Sequence, residues 1–226
     1  MKKAKKIVAL LLCAVLLVCA SVAGTLAYLT QQTETVTNTF TVGKVSLGTD
    51  ADGDDLIDNG LDEAKVNEYG EYVYKTDDEG NPTQELVARV IENTYKLIPG
   101  HTYVKDPTIH VAAGSEECYL FVKVENGISG IEAAGDTIAQ QMEDNKWDAL
   151  TGASNASNIY FYEEKVSTLS ASDVTDIPVF GSFTIDANAD VSAYADQTIQ
   201  VQVTAYAVQA DGFASAAAAW NATFGK

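Results

Sequence analysis

The residues best placed to do chemistry in this chain are the acids of Asp50-Ala51-Asp52-Gly53-Asp54-Asp55-Leu56-Ile57-Asp58. Calcium takes roughly six to eight oxygens at about 2.3–2.6 Å, and a short glycine-containing loop with acids at alternate positions turns successive carboxylates toward one centre. Asp50, Asp52, Asp54 and Asp58 are therefore candidate metal ligands, with calcium as the candidate ion. The pattern departs from an EF-hand loop. Gly53 stands fourth instead of sixth, and Leu61 stands twelfth, where a bidentate Glu belongs. Asp62 and Glu63 are the nearest acids that could replace it. The competing reading is an acidic, solvated surface loop.

Other chemistries find little support. His101 and His110 are the two histidines, and neither belongs to a His-Glu-x-x-His motif, so a zinc hydrolase lacks its ligands. His101 follows the Pro99-Gly100 turn and reads as solvated; His110 reads as a strand residue. Gly114-Ser115-Glu116 and Gly181-Ser182-Phe183 do not make a nucleophile elbow. With 32 acids, adjacent pairs such as Glu116-Glu117 and Glu163-Glu164 arise by chance and do not argue for a glycosidase. Cys118 lies in the apolar run Cys118-Tyr119-Leu120-Phe121-Val122 and reads as a small buried hydrophobe rather than a nucleophile. No catalytic residue is assigned, and the chain is not expected to be an enzyme.

The N-terminus bears on where any function is exerted. Lys2, Lys3, Lys5 and Lys6 precede an apolar run from Ile7 to Ala20, and small residues follow at Ser21, Ala23, Gly24 and Thr25. This is the layout of a secretory signal peptide, and the run is short for a permanent span. Thr25 and Ala27 place small residues at −3 and −1 of a cut between Ala27 and Tyr28. Residues 1–27 are thus expected to be removed, leaving residues 28–226 as one domain with no stable membrane span, secreted and extracellular. An uncleaved N-terminal anchor is the alternative. Residues 1–27 hold four lysines and no acid, so the remaining 199 residues carry ten basic and 32 acidic side chains, a net charge near −22. Such a surface repels nucleic acid and favours solubility and divalent cations. Cys13 and Cys19 fall in the signal segment, so the lone Cys118 cannot form an internal disulfide and the fold must rest on its core.

The elements that would position these residues are mostly strands. Thr35 to Leu47 alternates through Val36, Asn38, Phe40 and Val42, with a glycine kink at Gly43. Thr49 to Asp62 is acidic and glycine-rich, hence a loop. Tyr69 to Lys75 and the turn residues Asp77 to Pro82 read as a hairpin arm and its turn. Leu86 to Ile98 is assigned to a strand from its β-branched residues. Pro99-Gly100 suits a type II turn. Thr102–Val111, interrupted by Pro107, is placed at a sheet edge, and Cys118–Asn126, Ile159–Glu164, Val179–Ile185 and Thr198–Gln209 complete the strands. Asp136 to Trp147 and Phe213 to Phe224 read as helices, the first capped by Asp136. With no βαβ rhythm, the chain is all-β: an antiparallel β-sandwich of jelly-roll or Greek-key type, with short helices in connections and at the C-terminus.

Three stretches carry a resemblance. Gly24-Thr25-Leu26-Ala27-Tyr28-Leu29-Thr30 with Thr37-Asn38-Thr39-Phe40-Thr41-Val42-Gly43 is similar to the export joint of the TasA/camelysin family. Leu97-Ile98-Pro99-Gly100-His101-Thr102-Tyr103-Val104-Lys105-Asp106-Pro107 resembles that family's Pro-Gly-x-x-x-x-Lys-Asp turn, and Thr198–Gln209 with Phe213–Trp220 resembles the closing segment of clostridial members. The acidic loop resembles the Asp-x-Asp-Gly-Asp calcium loops of extracellular bacterial proteins. The family resemblance implies processing by a SipW-type signal peptidase and a jelly-roll fold. It further implies self-association into biofilm-matrix fibres through the freed N-terminal strand, with Val36, Phe40 and Val42 as the assembly face. Family members described as surface metalloproteases have no counterpart here, since the zinc motif is missing. The alternative function is a soluble, calcium-dependent extracellular binding module, or an enzyme with an unrecognised site. Retention at the cell surface would be non-covalent.

Overall fold

Cys118–Asn126 shows why the chain folds as it does. Its residues 118–122 are apolar on both faces, so this part of the strand can be satisfied only inside a sheet that is covered on both sides, while Lys123 and Glu125 carry one face out to solvent. In the computed structural model, which describes residues 45, 47–48, 60–171, 174–194, 197 and 199–226, it lies between two neighbours with both faces packed. Leu120, Val122 and Val124 enter the main core, and Tyr119 and Phe121 enter a second cluster on the opposite face.

The described strands, in chain order, are β1 (Leu61–Ala64), β2 (Tyr74–Thr76), β3 (Pro82–Leu86), β4 (Arg89–Val90), β5 (Thr102–Val104) and β6 (Thr108–Val111), followed by β7 (Cys118–Asn126), β8 (Trp147–Ala149), β9 (Ile159–Tyr162), β10 (Thr175–Pro178), β11 (Ser182–Thr184) and β12 (Val201–Gln209). Every pairing between these described strands is antiparallel. One sheet has the order β10-β6-β1-β4 and a second β12-β7-β9-β8; β11-β5 and β2-β3 form two-stranded pieces. Ile109, Val111 and Ile177 of the first sheet meet Leu120 and Val122 of the second in one core, with Tyr103 and Phe183 stacked at its end, rings 4.9 Å apart. The fold is an all-β sandwich, and these residues belong to one compact unit, Gly43–Lys226.

Two helices complete it. Helix α1 (Ile138–Asp144) starts at Thr137, whose hydroxyl accepts from the Gln140 N–H while Gln140 reaches back to the Thr137 N–H. The cap is thus Thr137 and not Asp136. The helix also ends before the expected Trp147: Lys146 takes a positive φ of 68° and Trp147 opens β8, its indole donating to the Pro178 carbonyl at 2.9 Å. Helix α2 (Ala216–Thr223), capped by Ser215, lays Ala216, Ala219 and Trp220 on the outer face of the second sheet. There the Trp220 ring lies 5.2 Å from Phe121 and 5.5 Å from Tyr206.

Several boundaries differ from the sequence reading. Leu86–Ile98 is not one strand: Leu86 ends β3, Arg89–Val90 forms β4, and residues 91–98 run irregularly. Alternation of β-branched residues cannot separate a strand from a chain pinned by side-chain bonds, as Asn93 pins this one. Thr102–Val111 is two strands in different sheets, with Pro107 at the crossing, and β6 is interior. Val179–Ile185 shortens to β11, Ser182–Thr184, and β10, a strand the sequence reading does not include, ends just before it at Pro178. The acidic loop ends earlier than expected, since Asp62 belongs to β1. The Pro99-Gly100 turn is as expected: Ile98 O accepts from the His101 N–H at 3.1 Å and Gly100 has a φ of +78°.

Candidate functional site: a groove between two sheet edges

A sheet edge presents unpaired backbone groups, and proteins blunt such edges by shortness, charge or proline. Three of the four ends of the larger sheets follow this rule. β4 has two residues including Arg89, β8 has three including Asp148, and β10 has four including Asp176 and Pro178. β12 does not. Its nine residues, Val201-Gln202-Val203-Thr204-Ala205-Tyr206-Ala207-Val208-Gln209, contain no charge and no proline. All nine pair with β7 on one side, and no described strand pairs with the other.

The core is also incomplete beneath this edge. Leu120 and Val122 of β7 are fully buried, whereas Val201, Val203, Ala205 and Ala207 of β12, which pack on the same core cluster, are half-buried. A groove of about 980 Å³ opens here. One wall is Ile199, Val201 and Val203 with Val191 and Tyr194; the other is Leu61, Glu63 and Val90 with residues 91–97. Ile128 and Phe183 also line it.

Polar residues line the groove as well; Thr94, Lys96, Gln200, Gln202 and Thr204 are exposed, whereas Glu63, Asn93 and Lys105 form a cluster withdrawn from solvent. Glu63 shares the face of β1 that carries Leu61, so it points inward by strand alternation. Its Oε2 meets Lys105 Nζ at 2.6 Å and its Oε1 accepts from Asn93 Nδ2 at 2.9 Å. Asn93 also donates to the Ala64 carbonyl at 2.9 Å and accepts from the Val66 N–H at 3.1 Å, which holds residues 91–97 against β1. Asp106 Oδ1 accepts from the Ala64 N–H at 2.8 Å. Burial pushes the Asp106 carboxyl above the usual range, against the pull of that N–H and of Arg89. Burial first, then the charges of Glu63 and Asp106, drive the Tyr95 phenol far upward and keep it neutral. Lys105 and Asp106 thus both tie β1 down, Lys105 through a side chain and Asp106 through the backbone.

On the other face of the first sheet a row of charges crosses all four strands. Asp176 of β10 lies 2.7 Å from His110 Nδ1, His110 Nε2 lies 3.0 Å from Asp62 of β1, and Arg89 of β4 pairs with Asp62. The two carboxylates flank both ring nitrogens, an arrangement that favours the protonated ring, which donates from each. The hydrogen bond to Asp62 raises the His110 pKa most, burial opposes it, and Asp176 adds to the rise. His101 is half-buried rather than solvated: Nε2 donates to the Tyr69 carbonyl at 2.8 Å and the ring lies edge-on to Tyr103.

Among the described residues no group of three or more His, Cys, Asp or Glu is placed to hold a metal, and no helix is long and apolar enough to cross a membrane. Asp50, Asp52, Asp54 and Asp58, the joint Ala27–Tyr28, and Val36, Phe40 and Val42 lie outside the described residues. Asp62 and Glu63, the acids that could complete a calcium loop, are buried and already paired with Arg89 and Lys105. Of the expected assembly strand, Val45 and Leu47 are described. Both pack against the main core, and Leu47 makes an antiparallel bridge to Val111. Cys118 is fully buried, and burial pushes its thiol up to about 11, which fits a core residue. Sequence reasoning missed Glu63, Asn93 and Lys105 as a unit; the uncharged composition of β12 was the visible signal for the groove. No family model, curated protein or solved structure matches the chain.

Proposed function

We propose that this chain is a secreted structural protein of a cell surface or biofilm matrix, assembling head to tail by strand donation. Residues 35–42 of the segment Thr35–Leu47 of one copy add to the β12 edge of the next and enter the groove, while Val45 and Leu47 keep their places in the core of their own copy. The observation that carries this reading is the nine-residue edge without charge or proline, whose half-buried Val201 and Val203 line an open groove. Main-chain hydrogen bonds supply affinity and the alternate side chains fill the wall. Burying Val36, Phe40 and Val42 is worth about 1.5–3 kcal/mol each before the costs of ordering and association. Because donor and acceptor are different surfaces, the contact does not close on itself. Export depends on a SipW-type signal peptidase cutting between Ala27 and Tyr28. The high negative charge keeps free copies dispersed, so screening by salt promotes assembly.

The test is electron microscopy and sedimentation of residues 28–226 at low and high salt, with and without calcium. Fibres or concentration-dependent oligomers are expected. Deleting residues 28–42, Phe40→Asp on the donor side and Val203→Lys on the acceptor side should each abolish them and leave a folded monomer. A chain that stays monomeric at high concentration under all these conditions overturns the reading.

A further inference from the structure

Within the strand-donation reading, on which this rests, we infer that Asn38 of the incoming strand docks on the Glu63–Lys105–Asn93 cluster and fixes the register of assembly. Val36, Asn38, Phe40 and Val42 share one face of an extended strand, and Thr35, Thr37, Thr39 and Thr41 share the other. Turning the Val/Phe face into the groove necessarily buries the Asn38 amide among apolar side chains. A buried amide is costly unless it is hydrogen-bonded.

Many polar residues of the groove, Thr94, Lys96, Gln200, Gln202 and Thr204 among them, are exposed, whereas Glu63, Asn93 and Lys105 offer such partners away from solvent. The Glu63 side chain is 5% exposed and Lys105 12%. Leu61, Val90 and, across the gap, Val201 and Val203 line the same groove. A carboxylate accepts up to about four hydrogen bonds, and Glu63 receives two from described residues. The Asn38 amide can donate to Glu63 and accept from Lys105 at once.

Slipped registers fail on their own terms. A one-residue slip presents the threonine face to the apolar wall. A two-residue slip sets Val36 or Phe40 on the ion pair and strands Asn38 against Val201 or Val203. A four-residue slip brings Glu34 onto Glu63, a like-charge contact in a poorly solvated site. One polar residue in an apolar row, meeting the buried Glu63–Lys105 pair, selects a single alignment.

The experiment scans the donor face with a charge in the full mature chain. Asp is placed at residue 36, 38 or 40, each with and without Glu63→Gln, and association is measured by sedimentation. Each single change should weaken association at least about tenfold. Glu63→Gln should recover most of that loss for Asn38→Asp and little for Val36→Asp or Phe40→Asp. Equal recovery at all three positions, or none at 38, overturns the inference. A second measurement leaves the cluster intact. Val90→Cys, whose Cα is paired with that of Glu63, is mixed with chains bearing Val36→Cys, Asn38→Cys or Phe40→Cys and treated with a short bis-maleimide. Cross-linking should peak at residue 38, the native Cys118 being buried; a peak at 36 or 40 overturns the inference. If the unaltered chain never associates, the strand-donation reading itself fails. If it associates but the scan misses residue 38, only the register assignment fails.

Discussion

Removing Lys105 should damage this protein far more than removing its partner. Lys105 and Glu63 are 2.6 Å apart with side chains 12% and 5% exposed, so the pair is desolvated. Lys105→Met leaves the Glu63 carboxylate in the groove with Asn93 as its remaining described donor. Breaking a buried pair in this way costs about 3–5 kcal/mol. The Asn93 bond and the open groove favour the lower half of that range. The loss is a large part of the roughly 5–15 kcal/mol that holds a domain together. It should lower Tm by roughly 6–20 °C at this chain length. Glu63→Gln keeps the Asn93 contact through the amide oxygen, and the long Lys105 stem can carry its ammonium out toward solvent. Its cost should stay near 1 kcal/mol, and the double variant should recover most of the Lys105→Met loss. Urea unfolding followed by tryptophan fluorescence reads all three, since Trp147 and Trp220 are 1% and 3% exposed. A Lys105→Met cost below about 1 kcal/mol, or equal costs for the two single changes, would show that the groove solvates the pair and refute the argument.

Two further outcomes are expected. The His110 pKa is raised in the fold by Asp62 and Asp176, so its contribution to stability is present in full below the unfolded value of about 6.5 and is lost as pH rises through the higher folded value. His110→Gln should remove this part of the stability–pH profile, and an unchanged slope would sink the idea. Gly70 has a φ of +72°, and a Cβ there would sit 2.6 Å from the Tyr103 Cα. Gly70→Ala should cost at least about 2 kcal/mol in chemical denaturation, and a loss below 0.5 kcal/mol would contradict the packing.

What the sequence showed depended on the range of the interaction responsible. Cys118–Asn126 was legible to the residue because both its ends and its apolar faces are local features. The Pro99-Gly100 turn was legible because proline and glycine each fix one dihedral region. Leu86–Ile98 was misread because Asn93, bonded to Glu63, Ala64 and Val66 some 27–30 residues away, holds that segment out of the sheet. Pro107 was taken for an edge marker, yet it marks a change of sheet. The groove was half legible. The strand ending at Gln209 was read, though not its lack of charge, and pairing Glu63 with Lys105 needs a register between elements 42 residues apart, which no local pattern encodes.

The two walls of the groove come from opposite parts of the chain. Leu61 and Val90 lie more than 100 residues before Val201. Contacts that far apart in sequence close late, because the loop-closure cost precedes any reward. If the chain assembles by strand donation as proposed, no acceptor exists until β12 has docked on β7, although residues 35–47 emerge early in synthesis. A fragment truncated within the chain would then have a donor and nothing to receive one. On that proposal the ability to accept is the last property this sequence acquires, and only copies that have finished folding acquire it.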